Sequence, residues 1–277
     1  MMAKEFEGKV VYITGAAKGQ GKAIALAFAK EGADIIAFDL GEKIEYPAYN
    51  SGSSKDLDAL KAEIEALGRK CVTYAGDVRI EADCKAAVEK GVKELGRIDI
   101  LINNAGICAY AFADEMLESE WDAMMDINAK GAWLTAKHVI PVMKKQVTNY
   151  VKGESYGVII NNSSIGGLRG MRRLSHYAAS KWAMTGMTKS WALELAPWGI
   201  RCISIHPTGV NTPLNDGIAA MEGKTPEEIA EASAGNLIPV PWIESEDVAN
   251  SVLFLCSDKA KYVTGSQYVL DAGLLTV

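Results

Sequence analysis

Metal-binding residues are scarce in this sequence, and long hydrophobic runs are missing from it. Only three histidines and five cysteines occur in 277 residues, and they form neither C-x-x-C pairs nor the histidine spacings of metal sites. An odd number of widely spaced cysteines also disagrees with a disulfide framework, whereas free thiols are typical of a reducing compartment. We therefore expect a protein without a metal site and without disulfide bonds.

The sequence gives no indication of a membrane or a nucleic acid as partner. No apolar stretch reaches the roughly 20 residues of a transmembrane helix, and residues 1–7 lack signal-peptide character. Acidic residues outnumber basic ones by 35 to 29, and the resulting net charge of −6 disfavours binding to phosphate-rich polymers and anionic membranes. These features predict a soluble, cytoplasmic protein that binds neither.

Short β-rich runs alternate with longer amphipathic stretches along the whole chain. This alternation predicts an α/β fold, a single Rossmann-type domain over residues 1–277 whose doubly wound parallel sheet of about seven strands is flanked by helices. Strands are predicted at 9–14, 34–38, 71–75, 98–102, 157–161, 200–206 and 267–270. Helices are predicted at 22–31, 56–67, 81–95, 116–125, 128–143, 175–195, 225–232 and 246–256. Residues 211–243 carry several exposed-looking apolar side chains, and we interpret this segment as a small substrate lid.

The first strand runs directly into a glycine-rich turn, and a helix follows the turn. In this context glycines let the backbone approach a pyrophosphate, which then lies at the positive N terminus of the helix. The spacing is G-x-x-x-G-x-G. We predict that this turn binds a dinucleotide through Gly15, Lys18, Gly19, Gln20 and Gly21.

The second strand ends in Asp39, with Leu40 beside it, about 20 residues past the glycines. An acidic residue at this point accepts hydrogen bonds from the adenosine ribose and repels a 2′-phosphate, so NAD(H) is favoured over NADP(H). The basic Lys18 in the turn leaves NADP(H) open as the alternative. Asp77 and Val78 end the third strand and are expected beside the adenine.

Small and amide residues follow the fourth strand. Asn104, Ala105 and Gly106 suit the close approach of a ligand to the backbone at the carboxyl edge of an open α/β sheet. Asn128 lies inside a predicted helix, where an amide has poor intrinsic propensity. It is therefore either a core residue with satisfied hydrogen bonds or a functional one.

Tyr177 and Lys181 are four residues apart on the predicted helix 175–195, so both side chains should leave from one face. A nearby ammonium lowers the pKa of a phenol from about 10 towards working pH, which is the property of a general acid/base. The same spacing also arises by chance in amphipathic helices. Ser164 precedes Tyr177 by thirteen positions, just beyond the fifth strand.

The chain resembles short-chain dehydrogenases/reductases in several motifs that occur in the order typical of that family. They are the run from Thr14 to Gly21, the run from Asn103 to Gly106, and Ser164, Tyr177 and Lys181. The resemblance covers essentially the full length. It implies an NAD-dependent enzyme that interconverts an alcohol and a ketone. It also implies a homotetramer.

The resemblance assigns a role to each matching residue. Tyr177 resembles the family's general acid/base, and Lys181 resembles the residue that binds the nicotinamide ribose and lowers the pKa of that tyrosine. Ser164 resembles the serine that hydrogen-bonds the substrate oxygen, and Asn128 resembles the asparagine that holds a proton-relay water. The expected cofactor contacts further along the chain are Asn104, Tyr177, Lys181, Pro207, Gly209, Val210 and Thr212.

Two finer features are similar to one branch of the family. The loop after Asp39 is long, and the run 206–213 is similar to that of carveol-dehydrogenase-like and mycofactocin-coupled members, while bacterial hydroxysteroid dehydrogenases share the overall pattern. This resemblance implies a bulky, apolar, cyclic substrate of the terpenoid or hydroxysteroid class. The expected substrate contacts are Ser164, Ile165, Gly166, Leu168, Tyr177 and Leu214. A 3-oxoacyl-thioester reductase and a non-catalytic NAD-binding regulatory protein remain as alternatives.

Overall fold

Seven parallel strands form a single sheet in the computed structural model, which describes residues 4–42, 44–47, 53–233 and 235–276. The strands are β1 (Val10–Thr14), β2 (Asp34–Asp39), β3 (Cys71–Ala75), β4 (Ile100–Asn103), β5 (Gly157–Asn162), β6 (Ile200–Pro207) and β7 (Gln267–Leu270). Their order is β3-β2-β1-β4-β5-β6-β7, and every neighbouring pair is parallel. The strand order therefore reverses between β1 and β4, and sheets of this kind bind ligands at such a switch point.

Helices cover both faces of the sheet. Helices α1 (Gly19–Lys30), α2 (Ser54–Ala66) and α9 (Ser245–Cys256) pack on one face, and α3 (Glu81–Leu95), α5 (Gly131–Gln146) and α6 (Ser175–Leu195) pack on the other. The remaining helices are α4 (Glu118–Met125), α7 (Pro213–Met221) and α8 (Pro226–Ser233). The predicted single-domain, doubly wound α/β fold is confirmed.

Each face of the sheet has its own hydrophobic core because successive strand residues point to opposite sides. On β1, Val11 and Ile13 pack with α1 and α9, whereas Val10 and Tyr12 pack with α3 and α5. Side chains of this size contribute about 1.5–3 kcal/mol each when fully buried. No helix in the described ranges has the length and apolar character needed to cross a bilayer.

Several element boundaries differ from the sequence-based prediction. Helix α1 begins at Gly19, three residues before the predicted start, because the last two glycines of the turn already belong to it. Strand β4 begins at Ile100 instead of residue 98. The predicted helices 116–125 and 128–143 are joined by a π-helical turn, Asp126–Lys130, which contains Asn128.

Helix α7 was not predicted as a helix. It begins with Pro213 in its first turn, after Thr212 in an extended conformation. Proline is well suited to the first turn of a helix, because the N–H that it lacks would be unpaired there. Thr212 and Pro213 were thus the available sequence signals for this start. Ile218 and Ala219 are the buried residues of α7.

Candidate active site

A cavity of about 680 Å³ opens at the carboxyl ends of the central strands. This volume is typical of small-molecule sites. Most of the predicted site residues line it, and the list is Gly15, Lys18, Gly19, Gln20, Asp39, Leu40, Asp77, Val78, Asn104, Ala105, Gly106, Ser164, Ile165, Tyr177, Lys181, Pro207, Gly209, Val210, Thr212 and Leu214. Four predicted residues are not part of the wall: Gly21, Asn128, Gly166 and Leu168.

The glycine turn combines positive φ angles with an uncapped helix N terminus. Gly15 and Gly19 have φ values of +63° and +50°, which favour glycine. A Cβ on Gly15 would lie 2.9 Å from Ala105 Cα, so the turn packs directly on the loop after β4. The N terminus of α1 carries no side-chain cap, which leaves backbone N–H groups of the first turn available to an anion.

Gly21 contributes to this turn by its small size and not by lining the cavity. A Cβ at this position would collide with the Gly15 carbonyl oxygen and would lie 2.7 Å from Asn104 Nδ2. Its predicted part in cofactor binding stays a prediction, and the structure shows that its small size lets the turn pack closely.

A network of amides connects the turn to β4 and β5. Asn104 Nδ2 donates to the carbonyl oxygens of Thr14 (3.1 Å) and Gly15 (3.0 Å). Asn162 Nδ2 in turn donates to Asn104 Oδ1 and to Gln20 Oε1, both at 2.8 Å. Asn162 also lines the cavity, although it was not predicted. Its position at the end of a buried strand was the signal that could have identified it.

Asp39 is held in place by the backbone of the glycine turn. Its Oδ2 accepts a hydrogen bond from Ala17 N and its Oδ1 accepts one from Leu40 N, both at 2.8 Å. Burial raises the pKa of Asp39, although these two bonds act in the opposite direction. Lys18 Nζ lies 3.3 Å from Asp56 Oδ2. The cation that could attract a 2′-phosphate therefore already has an acidic partner.

Tyr177 and Lys181 leave α6 on the same side, as predicted. Lys181 Nζ lies 5.5 Å from the centre of the Tyr177 ring and donates to the Asn162 carbonyl oxygen at 2.9 Å. Burial lowers the pKa of Lys181 to about 8. Burial also raises the pKa of Tyr177, although Ser164 acts in the opposite direction. The predicted lowering of the Tyr177 pKa is wrong in this structure, because desolvation of the phenolate outweighs the favourable contacts.

The two adjacent serines have different surroundings. Ser163 Oγ donates to the Lys181 carbonyl oxygen at 3.0 Å, which ties it to α6. Both serines line the cavity, but Ser164 Oγ is not tied to α6 through a backbone carbonyl and accepts a hydrogen bond from Gly166 N at 3.1 Å. These contacts favour Ser164 over Ser163 as the serine that faces a ligand.

Gly166 and Leu168 do not line the predicted substrate side of the cavity. A Cβ on Gly166 would lie 3.3 Å from the Tyr177 ring and 2.9 Å from Met171 Sδ, so the glycine makes room for these side chains. Leu168 follows a short 3₁₀ turn and lies outside the cavity wall. Met171 and Leu174 take the apolar positions in its place.

Asn128 is completely buried and does not reach the cavity. Its Oδ1 accepts from Ile107 N at 2.8 Å, and its Nδ2 donates to Ile107 O and Ser180 Oγ, both at 3.0 Å. The side chain therefore joins the loop after β4 to α6. The role in holding a proton-relay water that the resemblance implies for Asn128 stays a prediction. The residue lies in a type of helical turn that is frequent at functional sites.

Part of the cavity wall beside Tyr177 is apolar. Cys108, Leu174 and Ile218 form a buried cluster here, against which Tyr110, Met171, Tyr177 and Leu214 pack. Burial raises the pKa of the Cys108 thiol to about 12. Within the described ranges, no three His, Cys, Asp or Glu side chains come together as metal ligands.

Comparisons with known proteins agree with this architecture. The family model described as enoyl-(acyl carrier protein) reductase matches residues 15–275. The chain is 41% identical to (−)-trans-carveol dehydrogenase of Rhodococcus erythropolis, with 96% of this chain and 97% of that protein covered. It is 39% identical to a 3-oxoacyl-[acyl-carrier-protein] reductase of Thermotoga maritima, with coverages of 97% and 98%.

Solved structures give the same result. Carveol dehydrogenase from Mycobacterium avium in complex with NAD superimposes with a TM-score of 0.92 at 37% identity, and covers 99% of this chain and 100% of its own. Sequence motifs, sheet order, cavity and full-length similarity thus all agree. The chain belongs to the short-chain dehydrogenase/reductase family of oxidoreductases.

Proposed function

We propose that this protein is an NAD(H)-dependent enzyme that interconverts a bulky, apolar, cyclic secondary alcohol and the corresponding ketone. The observation that carries the proposal is that Ser164, Tyr177 and Lys181 line the same cavity as the glycine turn, while Tyr177 also packs against an apolar cluster of its wall. The names of the carveol dehydrogenases, one of them solved with NAD, support it.

The residues of the cavity fit a dinucleotide from end to end. The glycine turn would hold the pyrophosphate, Asp39 the adenosine ribose, and the walls around Asp77 and Val78 the adenine. The segment from Pro207 to Thr212 would hold the nicotinamide end, near Lys181. When bound, the cofactor would supply the redox chemistry, with NAD⁺ as the acceptor of a hydride from the carbinol carbon.

The protein's own residues handle the proton and orient the substrate. Tyr177 would exchange a proton with the substrate oxygen, which the Ser164 hydroxyl would hold. Because burial raises the pKa of Tyr177, the neutral phenol is ready to donate its proton in ketone reduction. Alcohol oxidation requires the phenolate, and the nearby Lys181 ammonium favours that form. Asn128 would contribute to proton relay by keeping the surrounding backbone in place.

The apolar wall favours a terpenoid or hydroxysteroid alcohol over a sugar. Ile165, Leu214 and Ile218 would contact the hydrocarbon rings, and residues 211–243, which include α7 and α8, would act as the substrate lid. Between the two alcohol classes, the names of the relatives favour the terpenoid.

The test is a fluorescence titration of the purified protein with NADH and NADPH, followed by a panel of alcohols. We expect tighter binding of NADH, and oxidation of monocyclic terpenoid alcohols or hydroxysteroids in preference to small polyols. Oxidation of small polyols alone would refute the apolar substrate class. Tighter binding of NADPH would refute the cofactor preference.

The name of the Thermotoga relative supports a second candidate, the reduction of a 3-oxoacyl thioester. Faster reduction of a 3-oxoacyl thioester than of any cyclic ketone would establish it. No residue of the site favours a non-catalytic regulator, because Ser164, Tyr177 and Lys181 are all present.

The surface supports a proposal about assembly. Helices α4, α5 and α6 expose Trp121, Trp133 and Trp182 to 41%, 45% and 49%, and exposed aromatic residues of this size often mark subunit interfaces. We propose a homotetramer, and light scattering coupled to size-exclusion chromatography should give four times the chain mass. A monomer at micromolar concentration would contradict it. None of the five cysteines forms a disulfide bond in the structure, and this supports a reducing cytoplasmic location, which cell fractionation can check. They are Cys71, Cys84, Cys108, Cys202 and Cys256.

A further inference from the structure

His206 is a completely buried histidine at the end of β6, next to the strand that leads to Ser164. Its Nδ1 lies 2.8 Å from the Ser164 carbonyl oxygen, and its Nε2 lies 2.8 Å from Ser204 Oγ. None of the steps proposed above uses this side chain. It nevertheless contacts the backbone of Ser164, the residue whose hydroxyl is proposed to hold the substrate oxygen.

The partners of His206 decide where its proton lies. A carbonyl oxygen can only accept a hydrogen bond, so Nδ1 must carry the hydrogen. In the neutral ring, Nε2 is then an acceptor, and the Ser204 hydroxyl must donate to it. The other acceptor near that hydroxyl, the Ser266 carbonyl oxygen, is more distant at 3.5 Å. Burial lowers the pKa of His206, and the Lys181 charge acts in the same direction, although the bond to Ser164 opposes them. The neutral ring is therefore favoured.

Ser164 lies just beyond the paired part of β5, so the ladder of the sheet does not hold its backbone. The last paired residue of β5 is Asn162, opposite Ile205, and Ser163 N still donates to Ile205 O. The Ser164 carbonyl oxygen accepts from Gly167 N at 2.9 Å inside its own turn. The bond from His206 therefore reaches Ser164 itself from β6, one residue beyond the bond between Ser163 and Ile205.

We propose that His206 is a positioning residue, which holds the Ser164 carbonyl through Nδ1–H and thereby fixes where the Ser164 hydroxyl meets the substrate oxygen. This inference rests on the proposed alcohol/ketone function. Misplacement of a reacting group by about 1 Å can cost up to about 10²-fold in rate, so loss of this bond should reduce kcat.

Two substitutions separate positioning from packing. In Asn, the side-chain amide nitrogen is separated from Cα by the same number of bonds as Nδ1 in histidine. In Gln, the amide nitrogen is separated from Cα by the same number of bonds as Nε2 in histidine. His206→Asn can therefore still donate to Ser164, and His206→Gln can reach only Ser204. Gln is closer to histidine in volume than Asn is. If His206 acted through packing alone, His206→Gln would therefore keep a higher kcat than His206→Asn.

The experiment measures kcat and KM for the cyclic alcohol, NADH affinity and the thermal midpoint of each variant. We expect His206→Gln to lose about tenfold or more in kcat with NADH affinity unchanged, and His206→Asn to recover most of that loss. His138→Gln, the same substitution at the partly exposed histidine that contacts Glu81 on α3, is the control and should leave kcat unchanged.

Three kinetic results would overturn the inference. They are a kcat of His206→Gln within about twofold of the wild type, equal losses in both variants, and better turnover by His206→Gln than by His206→Asn. Nitrogen-15 NMR of the wild-type imidazole gives a readout that does not depend on turnover, and an Nε2–H tautomer would also overturn it. Failure of the proposed function looks different, because the wild type itself would then convert none of the alcohols.

Discussion

Lys181 shows how a single side chain of the proposed active site opposes folding. Burial lowers its pKa from 10.5 to about 8, a shift that corresponds to about 3 kcal/mol of unfavourable free energy for the charged form. Because the charged form is disfavoured in the folded state, this cost is fully present below pH 8. It disappears as the pH rises from about 8 to 10.5, where the unfolded chain also loses the charge.

The first prediction follows from this cost. Lys181→Met should be inactive but more stable at pH 7, since the hydrogen bond lost at the Asn162 carbonyl offsets only about 1 kcal/mol of the gain. The expected net gain is about 1–2 kcal/mol, or a few degrees in Tm, and it should shrink towards pH 10. Thermal unfolding across this pH range measures it, with Lys189→Met on the exposed side of α6 as control. A gain that is independent of pH, or no gain at all, would show that burial of the charge is not the cause.

Asp39, Lys18 and Asp56 together determine the charge near the adenosine ribose. Asp39→Asn should tighten NADPH binding about tenfold, because it removes the repulsion of a 2′-phosphate while an amide oxygen can still accept from Ala17 N. Asp56→Asn should add to this effect, since it frees Lys18. Fluorescence titration with both cofactors measures these changes, and Asp58→Asn on the exposed side of α2 is the control. NADPH affinity that stays the same in the double variant would be evidence against this account of cofactor choice.

At the level of elements, an ion pair connects the C-terminal end of α7 to the loop that precedes α6. Arg173 Nη1 and Nη2 donate to the two carboxylate oxygens of Glu222, at 2.6 and 3.0 Å. The guanidinium also lies 5.2 Å from the ring centres of both Tyr110 and Phe112. Neither charged residue lines the cavity, but Tyr110 does, so the pair supports the apolar wall from behind.

Loss of this pair should loosen the wall of the substrate side. A partly exposed bidentate pair contributes about 1 kcal/mol, so Glu222→Gln should raise the KM for a bulky alcohol about fivefold and leave that for NAD⁺ unchanged. Hydrogen exchange should become faster in α7 and stay the same in β1. The same substitution at the exposed Glu231 on α8 serves as control. Unchanged exchange in α7 would mean that the ion pair does not hold this helix.

At the level of the whole molecule, the fold could be predicted because its signals are local. Strand and helix periodicity, the glycine turn and the spacing of Tyr177 and Lys181 are readable over a few residues each. Helix α7 has a weaker signal, since only Thr212 and Pro213 mark its start and an apolar stretch can be read as a loop.

The parts of the site that were missed depend on contacts between distant segments. Asn162 acquires its role from Gln20, 142 positions away in the sequence. Asn128 was recognised as unusual, but its bonds to Ile107 and Ser180 depend on the packing of α6 against the loop after β4. The sign of the Tyr177 shift also depends on burial, which the spacing of two residues does not contain.

The central claim is that Tyr177 transfers the proton in an NAD-linked alcohol/ketone conversion. The most direct test is single-turnover oxidation of a cyclic alcohol by the wild type and by Tyr177→Phe, with NADH affinity measured in parallel. The account predicts that the rate falls by about 10² or more while NADH binds with unchanged affinity. A Tyr177→Phe variant that oxidises the alcohol at nearly the wild-type rate would contradict it.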